Sequence, residues 1–314
     1  MPSSRATSPA GSATQTAPGA ASTPAGKATP LLSGTPGTTQ APPLIPGTPA
    51  ATGRAFEHIF IVMFENHGAA TVFANPYFKQ LAARGAYLSN YYAVGHPSEP
   101  NYLALLAGDT LVSDDGVYNL PQRNLVDLLE TAGIGWKAYQ ENYPGGCFAG
   151  SVAAGGLYAR KHNPFISFDT IRSNKARCAM IAPASELNAD SAAGRLPAYS
   201  FFTPNMDDDG HDQPLSFAAK WLEGFIEPKL KDPKFMQGTL VVVTFDESET
   251  SADNHVYAAL LGPMIQPGTV DSTRYSHYSL LRSVEENFHT GTLSRKDAQA
   301  PPFAGCNFAG GCGK

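Results

Sequence analysis

Thr239-Leu240-Val241-Val242-Val243-Thr244-Phe245 is followed at once by Asp246-Glu247. The first seven residues are apolar or β-branched, the types that fit a pleated strand. They show no alternation of polar and apolar positions, so both faces of that strand must be covered. A strand of that kind belongs to a parallel sheet with helices packed on each side. Outward from it, extended and helical runs alternate along the chain. Phe56–Phe64 reads as a second buried strand, and Leu88–Val94, Ile134–Gln140, Pro197–Phe202 and Val256–Leu261 as further extended segments. Pro76–Arg84 reads as a helix with proline in its first turn and Gly85 as its stop. Tyr102–Ala107, Pro121–Thr131, Leu215–Leu230 and His277–Phe288 read as the other helices. The class is therefore α/β with a mostly parallel central sheet. In such sheets the active site lies at the carboxyl ends of the strands.

The chain has 314 residues, a formal net charge of −5, 42% hydrophobic and 16% charged residues. Residues 1–53 are mostly Ala, Pro, Thr, Ser and Gly, which bury too little apolar surface to offset chain entropy. We read them as a disordered tail or linker and residues 54–314 as one domain. No signal peptide is visible in this numbering. Stalks of this composition are common on exported proteins, so a secreted, periplasmic or cell-surface protein is expected. No apolar run is long enough for a membrane span. No basic block stands out, which argues against nucleic acid as a partner. A small phosphoester remains open as a substrate, because a local cation can reverse the sign of a pocket. The four cysteines form no CxxC pair, which disfavours a zinc ribbon. Pairs Cys147–Cys178 and Cys306–Cys312 would suit an oxidising compartment; four free thiols are the alternative.

Several strand ends carry polar chemistry. Glu65 and Asn66 follow the run to Phe64, and Asp246 and Glu247 follow the run to Phe245. Carboxylate and amide oxygens are hard ligands suited to a divalent ion. The bland reading of each pair is a solvated turn or a helix cap. Ser98, in His96-Pro97-Ser98-Glu99-Pro100-Asn101, is a hydroxyl on a proline-stiffened turn ahead of a helix. A free hydroxyl is a weak nucleophile, and coordination to a metal would activate it. Its alternative is a helix cap. Asn101 can bond a phosphoryl oxygen or cap the same helix. His211, in the acidic loop Asn205–Asp212, and His162, in Arg160-Lys161-His162-Asn163-Pro164, are candidates to bind phosphate or protonate a leaving group. His255 and His277 are candidates of lower specificity.

The segments FENH (64–67), GHPSEPNYLALLAGDT (95–110), KHNPFISF (161–168), TPNMDDDGHD (203–212), VVVTFDES (241–248), DNHVYAALLGP (253–263) and HYSLLRSVEENF (277–288) resemble one family in order and content. It is the phosphoesterase family of acid phosphatases and bacterial phospholipases C, within the alkaline-phosphatase superfamily. The resemblance implies an alkaline-phosphatase-like three-layer α/β/α sandwich. It implies that Ser98 is a nucleophile forming a phosphoserine, and that Glu65, Asn66, Ser98, Asp246 and Glu247 bind a metal. It also implies that His211 and His162 contact or protonate the phosphoryl group, with Asn101 and His255 toward the substrate. Glu247 departs from the two consecutive aspartates of the acid phosphatases. Asp207 and His211 match an Asp-x-x-x-His pair of two-metal relatives, which His255 or His277 would complete. One divalent ion is the preferred expectation and two the alternative. The expected activity is that of an acid phosphatase on soluble monoesters. The alternatives are a phosphodiesterase or phospholipase C on the same centre, and a catalytically silent, surface-tethered binding protein.

Overall fold

The computed structural model describes residues 53–250 and 252–307, without the side chain of Cys306. The expected tail at 1–53 therefore lies outside the described residues except for Gly53, as does the expected pair Cys306–Cys312. The main sheet has eight strands: β1 (His58–Phe64), β2 (Ala86–Leu88), β3 (Trp136–Gln140), β4 (Ile181–Pro183), β5 (Tyr199–Thr203), β6 (Thr239–Phe245), β7 (Ala258–Leu261) and β8 (Thr269–Asp271). Their spatial order is β8-β2-β7-β6-β1-β5-β3-β4. Every neighbouring pair is parallel except those made by β7, which runs against both β6 and β2.

β1 and β6 lie at the centre, and their burial follows from the unbroken apolar runs that define them. All of β6 and all of β1 but His58 are buried. Alternate side chains of β1 point to opposite layers. Phe60 and Phe64 face Phe225 and Trp221 of a helix at Leu215–Leu230 (α4), and Phe64 also meets Phe78 of α1 (Pro76–Arg84). On the other face, Ile61 is in register with Phe201, whose ring meets Tyr102 of α2 (Ser98–Ala107). α2 packs there with α3 (Leu125–Thr131) and α5 (His277–Phe288). Helices cover both faces, giving three layers. Each aromatic or aliphatic side chain buried between them contributes roughly 1.5–3 kcal/mol.

Some boundaries differ from the sequence reading, with local causes. The segment expected to run extended over Leu88–Val94 is broken at Ser89-Asn90; Tyr91–Tyr92 leaves the main sheet and pairs with Tyr275–Ser276. The helix expected from Tyr102 starts at Ser98, because Pro100 falls in the first turn, where its missing N–H costs nothing. The helix expected from Pro121 starts at Leu125, with Asn124 and Asp127 forming a capping box. The short strands β4 and β8 had no strong apolar signal. Cys147 and Cys178 form a disulfide with Cα atoms 5.6 Å apart. No helix among the described residues is long and apolar enough to cross a membrane.

Candidate active site

Register places the acids. β1 and β6 run parallel with Phe64 opposite Phe245, so the next residue of each strand, Glu65 and Asp246, emerges side by side at the carboxyl edge. Asp246 N–H donates to Phe64 O at 2.9 Å and so extends the ladder by one bond. Asn66 turns away with φ 20°, and its N–H donates to Asp246 Oδ1 at 3.0 Å. The loop after β5 approaches from the other side: Glu65 N–H donates to Asp209 O at 3.0 Å. Gly210, at φ +96°, makes the turn that leaves Asp209 inward and His211 at the mouth.

Ser98 is the first residue of α2 and is 1% exposed, so it is buried among acids rather than displayed on an open turn. Its Oγ donates to Glu65 Oε2 at 2.9 Å and lies 3.3 Å from Glu247 Oε1. Its hydroxyl does not cap the helix. The other oxygen of Glu65, Oε1, accepts from Tyr102 OH and lies 3.0 Å from His162 Nε2 without the alignment of a hydrogen bond. His162 Nδ1 is 3.4 Å from Asp209 Oδ2, and its ring stacks on Tyr102 at 5.2 Å. Glu65 therefore joins two donor groups, Ser98 with Glu247 and Asp246 on one side, His162 with Asp209 on the other. Glu247 also pairs with His96 Nδ1.

Charge is concentrated here without a matching cation inside. Burial raises Glu65 well above the carboxylate range, and the charges of Asp246 and Asp209 add to it. Burial likewise raises Asp209 well above its usual value, and pushes Asp246 and Glu247 each up to about 7, Asp246 with help from Glu247. His162 is held well below its ordinary value by burial, then by Lys161 and His211. Asp209 Oδ2 and Asp246 Oδ2 are buried without a hydrogen-bond donor. Buried carboxylates in that state call for a cation. Hard oxygens with one imidazole suit a divalent metal, and Glu65, His162 and Asp209 offer ligand atoms within 4.8 Å of one another. The residues present fit such an ion.

Lys161 stands at the mouth. Its Nζ is 3.1 Å from Asp115 Oδ2 and 3.4 Å from His211 Nε2. An ammonium has only hydrogens to give, so His211 Nε2 is the acceptor and its proton sits on Nδ1, 2.8 Å from Asp212 Oδ1. Burial would lower Lys161, but the charges of Glu65 and Asp115 outweigh it and hold the ammonium above its usual value.

The remaining expected residues are placed elsewhere. Asn101 is fully buried: its Oδ1 accepts from Val94 N and Gly95 N, each at 2.9 Å, and its Nδ2 donates to Gly95 O and Pro97 O. That arrangement ties the turn before Ser98 to α2 and leaves no amide group directed at a substrate. His255 stacks on Tyr92 and has Nε2 3.0 Å from Ser89 O. His277 is buried with Nδ1 on Tyr91 OH and Nε2 2.6 Å from Asp246 O; burial lowers it to about 4. Asp207 accepts from Gln213 Nε2. Asp207, His211 and His277 thus do not form one donor group, because the ring nitrogens of His277 are both engaged and the inward acid of the Asp207-Asp208-Asp209 run is the third. Asp209, Tyr102, Asp115 and Lys161 were not singled out from the sequence. The signal for Asp209 was the acidic run itself, and for Lys161 the basic neighbours of His162.

The chain belongs to the phosphoesterase family, whose model matches residues 71–291. It is 43% identical over 260 residues to a protein of Kluyveromyces lactis named "Probable acid phosphatase", covering 79% of this chain but only 62% of that protein. It is 34% identical over 248 residues to a phosphatidylinositol-3-phosphatase of Mycobacterium tuberculosis, covering 76% of this chain and 79% of that one. A crystal structure of an alkaline-phosphatase-superfamily protein from Vibrio parahaemolyticus superposes with a TM-score of 0.56 at 13% identity, over 80% of this chain and 72% of the other. That likeness carries the fold alone.

Proposed function

We propose that this protein is a metal-dependent phosphomonoester hydrolase of the acid-phosphatase kind that works through a phosphoserine on Ser98. One observation carries the reading: a buried serine hydroxyl at a helix N-terminus shares its proton with Glu65 and Glu247 inside a cluster of acids that lacks an internal cation. The names of the relatives support it. Ser98, Glu65, Asp246 and Glu247, with Asn66 beside them, would hold the ion. His162 and Asp209, which share Glu65, are the place for a second. When bound, the ion supplies charge neutralisation and activates the hydroxyl.

The rest of the reaction falls to the chain's own groups. Ser98 gives its proton toward the carboxylates it already touches and attacks phosphorus in line. The N-terminus of α2 favours the negative charge that gathers there. His162 is sealed, and burial holds it well below its ordinary value, so it does not exchange protons with solvent. His211, partly open at the mouth, takes a proton from solvent at Nε2 and passes it to the departing alcohol. Water then cleaves the phosphoserine. The Cys147–Cys178 disulfide supports an exported protein.

The test is metal analysis of the purified chain together with a panel of para-nitrophenyl phosphate, its bis-ester, a phosphoinositide monoester and phosphatidylcholine. Monoesters should turn over fastest, chelation should abolish turnover, and a divalent ion should restore it. Faster cleavage of the bis-ester or of phosphatidylcholine would favour a diesterase. No hydrolysis of any member with any metal would leave a binding protein.

A further inference from the structure

We propose that Lys161 is the residue that reads the second negative charge of a phosphomonoester, and that Asp115 holds it in place and tempers its strength. This rests on the phosphoester reading of the site and names a residue that sets its specificity. Four buried acids line the floor. Among the described residues, no other lysine or arginine makes an ion pair or hydrogen bond to a group of the site. Arg160, next in sequence, points its guanidinium away to Ala149 O and Tyr118 O. The neighbours of Lys161 fix where it stands. Asp115 Oδ1 accepts from the N–H of Glu99, the residue after Ser98, at 2.9 Å, while its Oδ2 holds Lys161. Glu99 returns a bond by accepting from Gly116 N at 2.8 Å. The ammonium is therefore anchored, through one side chain, to the first turn of the helix that bears Ser98. Its charge also acts on Glu65, Asp209 and Glu247 across the site.

The chemistry follows from charge. A monoester dianion and a diester monoanion share the phosphorus centre that Ser98 attacks. They differ at one oxygen, which is non-bridging and charged in the monoester but esterified and uncharged in the diester. An ammonium at the mouth can meet that oxygen with a charge-assisted hydrogen bond. Of its two present partners, Asp115 keeps its hold, while the more distant His211 Nε2 yields to a charged oxygen.

The experiment uses the full metal-loaded chain and inorganic phosphate as the probe. In a Ser98→Ala background, which binds phosphate without turning over, calorimetry should show phosphate affinity about tenfold or more weaker in Lys161→Gln and largely kept in Lys161→Arg. Asp115→Asn keeps an oxygen for the Glu99 N–H and removes one charge. It should bind phosphate about threefold tighter. With Ser98 intact, Lys161→Gln should lower kcat/KM on para-nitrophenyl phosphate about tenfold or more than it does on the bis-ester. Melting temperatures of the variants should match their parents, which a merely structural role would not allow together with these shifts. Equal losses on both esters, an unchanged phosphate affinity in Lys161→Gln, or no phosphate binding at all would overturn the proposal. A wild-type chain that hydrolyses no phosphoester, yet loses phosphate on Lys161→Gln, would sink the enzymatic reading and leave the anion contact standing.

Discussion

Ser98 and Asn101 sit three positions apart on one helix and have opposite tasks. Ser98 turns its oxygen into the acid cluster, and Asn101 turns its amide back to the loop that leads there. Ser98→Ala should lose about 3 kcal/mol or more of transition-state stabilisation, a hundredfold in turnover, with the melting temperature little changed. Steady-state kinetics on a monoester decides it, and near-native turnover would remove Ser98 as the nucleophile. Asn101→Ala leaves the N–H groups of Val94 and Gly95 without their acceptor. It should cost about 2 kcal/mol of stability by denaturant unfolding and lower activity through the displaced turn. An undiminished stability in that variant would show that the loop holds itself.

Elements carry a different kind of support. The region between β3 and β4 holds short strands and helical turns rather than long elements, and it carries Lys161 and His162 into the site. The disulfide Cys147–Cys178 closes 31 residues around that region. Loop closure of that length is worth about 3–4 kcal/mol in the chain-entropy picture. Cys147→Ser with Cys178→Ser should therefore lower unfolding free energy by about 3 kcal/mol. It should also weaken phosphate binding, because the segment holding Lys161 loosens. A double variant with native stability would mean that Trp136 against Phe165 and the neighbouring core suffice to hold the region. The long central strands and helices needed no such staple, and their limits at β6, α1, α4 and α5 agree with the sequence reading.

Across the whole molecule, one buried acid outside the site stands far above its usual value. Glu285 of α5 is buried without a hydrogen-bond partner for either oxygen. Burial first, then the charge of Asp297, pushes it up to about 9. Asp297 itself accepts from the N–H groups of Leu293 and Arg295 and so closes the turn that follows α5. A carboxyl raised in the folded state keeps its proton while the unfolded chain gives one up. Its contribution is fully present below pH 4.5 and is lost as pH rises through about 9. Glu285→Gln should flatten that decline, making the variant more stable than the parent at pH 8 and similar at pH 4. Thermal melts across that range check it, and parallel curves for the two proteins would contradict it.

The sequence by itself determined the layer order and the chemistry available. Unbroken apolar runs demand cover on both faces, and acids directly after two such runs must emerge at the same sheet edge if the strands are parallel. Ser98 and His162 were legible as polar residues in turn-like, motif-bearing segments. Only the tertiary structure decided which of Asp207, Asp208 and Asp209 turns inward, that Asn101 serves the backbone, and that His277 is fully occupied. It also placed Asp115 and Lys161 against the helix that bears Ser98. Those choices depend on side-chain direction across segments far apart in the chain. Local spacing carries no information about that, whereas burial and hydrogen-bond satisfaction in the packed molecule do.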